Sequence, residues 1–220
     1  MDLKEINSIL KSVETILLFL NAILYTFSYL KGHKTKALKY FAVYLILTFC
    51  VFQGGRLILE IQRSLDLKPN NLFLSHFYFI LQFAFLSLFY REFFTKKQIK
   101  NLKIASFLVA ITLTMQYVYK PSIFFEFNLL EILITSVPLI IYSIIHLYNS
   151  LGKPGKYMYI NAAVLTYLSL STLIFILGNL LTTIDRQLAK NIWSLNKVFY
   201  IFYLILILIE WKKSLWKTKN

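Results

Sequence analysis

Long apolar runs recur along this chain from one end to the other, and the polar residues between them collect in short gaps. A helix rises about 1.5 Å per residue, so crossing ~30 Å of hydrocarbon takes about 20 residues. Seven runs qualify, at about residues 12–30, 40–62, 72–93, 104–119, 124–148, 159–181 and 192–211. Each is too long for an ordinary strand and lacks the alternation of a barrel strand. A helix closes its own backbone hydrogen bonds, which lipid cannot do, so helices are the expected spans. The expected fold is all-α: a polytopic seven-transmembrane-helix bundle, a single domain over residues 1–220. The gaps are short, so no soluble domain is expected. The fourth run is the shortest and leans on Tyr117 and Tyr119 as interfacial anchors.

Polar residues inside these runs fall at helical spacing, three and four apart, and so share faces. The first run carries Lys11, Glu14, Asn21, Tyr25 and Ser28; the second carries Gln53, Arg56 and Glu60. Asn71, Ser75, Tyr78 and Gln82 mark the third, and Asn128, Glu131, Thr135, Tyr142 and His146 the fifth. Thr172 and Asn179 share a face of the sixth, and Asn196, Tyr200 and Tyr203 line up beside Lys197 in the seventh. Only the fourth is weak, with Thr112 and Gln116. Each stripe is expected to turn toward neighbouring helices, because lipid cannot satisfy it. Gly54–Gly55 is the expected point of close helix approach, and Pro138 an expected kink in the fifth helix.

Composition sharpens this picture. Hydrophobic residues make up 58% of the chain, and the mean hydropathy is +0.62, beyond an ordinary soluble domain. Abundant Lys, Ile, Asn and Phe suggest an AT-rich bacterial genome. The formal charge of +14 raises the question of nucleic acid, and its distribution answers it. Fifteen of the 24 Lys and Arg residues fall in the gaps after the first, third and fifth runs and in the tail. Seven lie on the other side, and Arg56 and Lys197 lie within runs. Cytoplasmic loops collect positive charge, so the N-terminus is expected outside and the C-terminus in the cytoplasm of a bacterial inner membrane. The charge is thus topological, and no nucleic-acid partner is expected. The Lys96–Lys103 cluster is expected to meet anionic lipid head groups. The first residues lack a basic leader and a small-residue cleavage site, so they read as retained. The single cysteine, Cys50, excludes an internal disulfide.

With that orientation the ionisable stripe residues gather in the outer half. The candidate polar cluster is Gln53, Arg56, Glu60, His76, Gln82, Glu131, Asn179, Asn196 and Lys197. Two readings stay open: a structural ion-pair network, or an outward-open pocket for a small molecule or ion. The three histidines sit on three levels and make no metal site, and neither a catalytic residue nor a cofactor is indicated. A rhodopsin is not expected, because Lys197 lies too near the outer end for a mid-span Schiff base.

The segments NLFLSHFYFILQFAFLSLFYREFF, FEFNLLEILITSVPLIIYSIIHLYNSL, the YIN at Tyr159–Asn161, and NIWSLNKVFYIFYLILILIEWKK resemble a family of small seven-helix inner-membrane proteins of Bacteroidetes. The likeness covers roughly residues 40–213, with Glu131, Asn161, Trp193, Asn196 and Trp211 as its polar landmarks. It implies an inner-membrane location and a seven-helix bundle, and carries no activity. The sequence thus points to a non-enzymatic membrane protein that binds a ligand or lipid in the outer pocket, or serves as membrane subunit of a signalling partner. Alternatives are a small-solute or ion transporter or channel, and a carboxylate-dependent lipid-modifying enzyme.

Overall fold

A computed structural model describes residues 3–152 and 155–216. It is all-helical: α1 Leu3–Leu30, α2 Lys36–Ser64, α3 Leu72–Arg91, α4 Lys96–Tyr119, α5 Leu129–Asn149, α6 Met158–Leu181 and α7 Arg186–Glu210. A short 3-10 turn, Pro121–Phe125, precedes α5, and a π turn, Trp211–Trp216, follows α7. Among the described residues, seven helices are long and apolar enough to cross a membrane.

The expected spans are recovered, with shifted ends. Helices outrun the apolar runs where a polar side chain caps them. Thr95 Oγ1 accepts from Gln98 N while Gln98 Oε1 accepts from Thr95 N. This capping box starts α4 at Lys96, eight residues before the apolar run, so α4 is not the shortest helix; α3 is, with 20 residues. Thr35 caps α2, and Asp185 caps α7 through Gln187 N and Leu188 N. The fifth helix begins later than its apolar run. Pro121 favours the 3-10 turn, and the side chain of Asn128 accepts from Glu131 N at 3.1 Å, setting the cap there.

Six helices close a ring in the order α1, α2, α3, α5, α6, α7 and back to α1. Asn21 Nδ2 and Tyr25 Oη close it by donating to the carbonyls of Leu204 and Ile207. Helix α4 stays outside, packed against α3 and α5. That position explains its weak polar stripe: only Leu102, Val109 and Leu113, spaced seven and four, are buried on it. The remaining outward faces are apolar, as Ile16, Phe19, Phe107, Val118 and Leu173 illustrate.

The lysine-rich turns share one end of the bundle. Thr35 Oγ1 meets the hydroxyl of Tyr157, Gln98 and Asn149 exchange hydrogen bonds, and Trp211 Nε1 donates to Ser28 Oγ. Here too Glu210, fully buried, accepts from Tyr159 N and so caps the start of α6. Within the ring, aromatic side chains fill the half nearer this basic end, including the fully buried Tyr25, Phe41, Tyr44, Phe89, Tyr90 and Tyr203.

Close helix approach occurs at one of the two glycines the sequence suggested, Gly55, and more tightly at Gly178. Gly54 has open space around its missing side chain, and Gly55 meets Asn71 and Leu74. At Gly178, however, a methyl group would collide with the indole of Trp193, so α6 and α7 meet there only because the residue is glycine. Gly178→Ala is expected to lower stability by about 1–3 kcal/mol through overpacking. Gly54→Ala is expected to raise it by about 0.5–1 kcal/mol through helix propensity. SDS or thermal denaturation of the detergent-solubilised protein measures both.

Candidate functional site

At the end opposite the basic turns, two polar nodes face each other across the ring. The first joins α1 and α2. Arg56 Nη2 donates to Glu14 Oε1 at 3.3 Å and to the Lys11 carbonyl at 3.3 Å, and Nη1 donates to Gln53 Oε1 at 3.1 Å. Helical side chains lean toward their own N-terminus. Arg56 therefore reaches back to Gln53, three residues earlier, and across to α1. Glu60, one turn the other way, is exposed and makes no ion pair among the described residues. Arg56 thus pairs with Glu14 of α1 and not with Glu60 on its own helix face. Lys197 of α7 does not pair with Glu131 either; its Nζ donates to Asn7 Oδ1 at 2.8 Å.

The second node joins α3, α4 and α5. Glu131 has no exposed surface. Its Oε2 accepts from His76 Nδ1, from Tyr117 Oη at 2.9 Å and from Asn128 Nδ2 at 3.4 Å. Asn128 in turn exchanges two hydrogen bonds with Gln116. This network fastens the outer helix α4 to the ring at this end, as the Gln98–Asn149 pair does at the basic end. Tyr117 and Gln116 belong to it, although the sequence presented Tyr117 only as an interfacial anchor. Their polar atoms in an otherwise apolar helix were the available signal. Two atoms of the node have no hydrogen-bond partner among the described residues: Glu131 Oε1 and His76 Nε2.

Between the nodes lies a cavity of about 440 Å³. Asn71, Ser75, Asn128 and Glu131 line one wall; Lys11, Glu14 and Arg56 line another. The rest is aromatic and aliphatic, with Phe52, Tyr78, Phe79, Phe127, Tyr167 and Phe175 beside leucines, Val51 and Ile132. Asn196 of α7 also lines it, and its buried Oδ1 has no hydrogen-bond partner. Acceptors without donors in an aromatic chamber suit a guest that brings its own donor.

The remaining candidates are dispersed. Gln82 lies deeper, buried, with Nε2 donating to the hydroxyls of Tyr78 at 2.9 Å and Tyr44 at 3.2 Å. Tyr203 Oη donates to Tyr44 Oη, extending a tyrosine layer beneath the cavity. Asn179 is exposed and outside the cluster, a correction with a simple cause. Helix α6 turns Ser171, Thr172 and Gly178 inward, and the next residue is rotated by about 100° from Gly178. Gln53 reaches the site only through Arg56, and His76 lines a separate cavity. In the exposed loop beside the site, hydrogen bonds from Lys120 and Ser122 hold the Glu126 carboxyl below its ordinary range. Among the described residues no three His, Cys, Asp or Glu side chains group to hold a metal ion.

No family model, curated protein or solved structure matches this chain.

The ion pairing carries a prediction. Arg56→Ala leaves the Glu14 carboxylate without its guanidinium partner. It is expected to destabilise the protein by about 1–2 kcal/mol, less than for a fully enclosed pair because the Arg56 side chain is 23% exposed. Glu60→Ala is expected to change stability by less than about 0.5 kcal/mol. Denaturation midpoints of the two variants make the comparison.

Proposed function

We propose that this chain is a non-enzymatic multi-pass protein of a bacterial inner membrane that binds a small amphipathic molecule in the cavity between the two polar nodes. The observation that carries this reading is the pair of unpartnered acceptors, Glu131 Oε1 and Asn196 Oδ1, on residues lining one aromatic chamber. Leaving buried acceptors unsatisfied costs about 1–3 kcal/mol each, and a bound hydrogen-bond donor such as an amine removes that cost. The aromatic walls favour an apolar body on the same molecule and add cation–π attraction if the donor is charged. The resemblance to small seven-helix proteins of Bacteroidetes supports the membrane assignment, and we infer membership of that group.

We read the basic end as cytoplasmic, which puts the cavity on the outer side. The positive-inside distribution of charge supports this. The exposed lysines at the start of α4 then face anionic lipid head groups or an acidic surface of a signalling partner. A transporter reading is less well supported. Below the cavity, the Gln82 amide donates to the hydroxyls of Tyr44 and Tyr78, Tyr203 donates to Tyr44, and Phe41 and Phe89 pack beneath them. A carboxylate-dependent enzyme is less well supported still, since Glu131 is engaged by three donors and Glu60 is remote from it.

Two measurements test these readings. Thermal stability of the purified protein is expected to rise saturably with phenethylamine or a related amphipathic amine, and not with phenylacetate. The response is expected to vanish in Asn196→Leu, which leaves Glu14–Arg56 and the Glu131 node in place. A flat response across such a panel overturns the ligand-binding reading and leaves a structural network. For orientation, single cysteines are introduced as Lys68→Cys or Lys34→Cys in a Cys50→Ser background. A membrane-impermeant maleimide is expected to label position 68 in intact spheroplasts and position 34 only after permeabilisation. The reverse pattern inverts the assignment.

A further inference from the structure

A second cavity, of about 530 Å³, lies on the outer wall of the bundle where α3, α4 and the 3-10 turn meet. Phe77, Ile80 and Phe125, which line it, are all exposed on that wall, so it opens sideways. In a membrane, that direction is lipid. Apart from His76 and the hydroxyl of Tyr117, its lining is apolar.

His76 sits at its base, nearly fully buried and stacked on Phe124 with ring centroids 5.3 Å apart and planes 22° apart. Tyr117 stands edge-on to the same imidazole at 5.6 Å. One ring nitrogen, Nδ1, is held by Glu131 and Tyr117. The other, Nε2, is buried without a partner. An imidazole fixed at Nδ1 by a carboxylate has a defined orientation, and its remaining nitrogen is the polar group the cavity can offer a guest.

We propose that this lateral cleft is a binding site for the ring of a lipid-soluble quinone or quinol, with an oxygen of the ring on His76 Nε2 and its face against Phe124. The chemistry selects this class over other guests. An acyl chain fills apolar space but leaves Nε2 unpaired. A phosphate head group needs cations, and neither lysine nor arginine lines the cleft. A planar ring matches the aromatic walls. Its oxygen also suits both states of the dyad. A protonated imidazole beside ionised Glu131 donates from Nε2 to a quinone carbonyl, and a neutral one accepts there from a quinol hydroxyl. The size is within the usual range for a cofactor-sized guest. The site is separate from the central cavity, and the two meet at Glu131 of that cavity, which His76 and Tyr117 of the cleft both bond.

The test uses the full chain in lipid nanodiscs titrated with decylubiquinone, in oxidised and reduced forms. Thermal stability is expected to rise saturably with both. His76→Gln is expected to weaken binding about tenfold or more, as loss of one buried hydrogen bond does. Phe124→Trp, which leaves the His76–Glu131 contact in place and fills the slot, is expected to abolish the response; it decides the matter if His76→Gln folds poorly. Glu60→Ala serves as the control and is expected to respond as the parent does. An equal rise with n-decane shows partitioning of chains, and an equal rise with added phosphatidylglycerol shows head-group binding; either outcome overturns the proposal. So does an undiminished response in Phe124→Trp.

Discussion

A carboxylate that has lost all contact with solvent must be held by donors, and Glu131 has three, drawn from α3, α4 and the turn that begins α5. The arrangement of the node joining α3, α4 and α5 follows from satisfying that one group. His76 is orientated by it, Tyr117 is drawn in from the outer helix, and Asn128 serves it while capping α5 and pairing with Gln116. Removing any one donor leaves a buried polar group short of a hydrogen bond that solvent cannot replace, which is why such a node is strongly specified by its surroundings. The same rule runs through the bundle at lower stakes. Asn21 and Tyr25 find carbonyls on α7, Ser143 and Tyr90 meet Asn161, and Glu210 takes the free Tyr159 amide at the start of α6.

Apolar packing alone gives helices in lipid little reason to prefer one neighbour, because lipid tails are as apolar as leucine. Here polar contacts supply that preference at the closure between α1 and α7 and at the attachment of α4. Packing then acts through shape. The indole of Trp193 lies where only a glycine leaves room, and the aromatic rings of the basic half interlock edge to face. The polar end is packed less completely. Its nodes hold α1 with α2, and α3 with α4 and α5, but leave space between and beside them. The two cavities are that space, one inside the ring and one on its wall, with the Glu131–His76 contact as the partition.

This geometry separates two kinds of buried polar atom. Those of the Gln82–Tyr44–Tyr78–Tyr203 layer are used by one another. Glu131 Oε1, His76 Nε2 and Asn196 Oδ1 are not, and all three belong to residues that line a cavity. Other unpartnered atoms, such as Ser87 Oγ and Thr172 Oγ1, lie on residues that line neither, and carry no comparable argument. The functional readings rest on this coincidence of unmet hydrogen bonds with cavity space.

Helix number, helix type and the grouping of basic residues were legible in the sequence because each depends on neighbours within a turn or two. Hydropathy over 20 residues, spacing of three and four, and the lysines between runs are local quantities. They placed Arg56 with Gln53, and Asn71, Ser75 and Tyr78 on one face, as the structure does. Local quantities do not say which helix a face meets. That Arg56 turns to Glu14 rather than Glu60, that α4 lies outside the ring, and that Asn179 points away while Tyr117 joins the buried carboxylate were decided only by tertiary packing. The rotation of each helix is set by the summed contacts of segments far apart in the chain, and a cavity is the volume those contacts fail to fill. Neither has a signature in any single stretch of sequence.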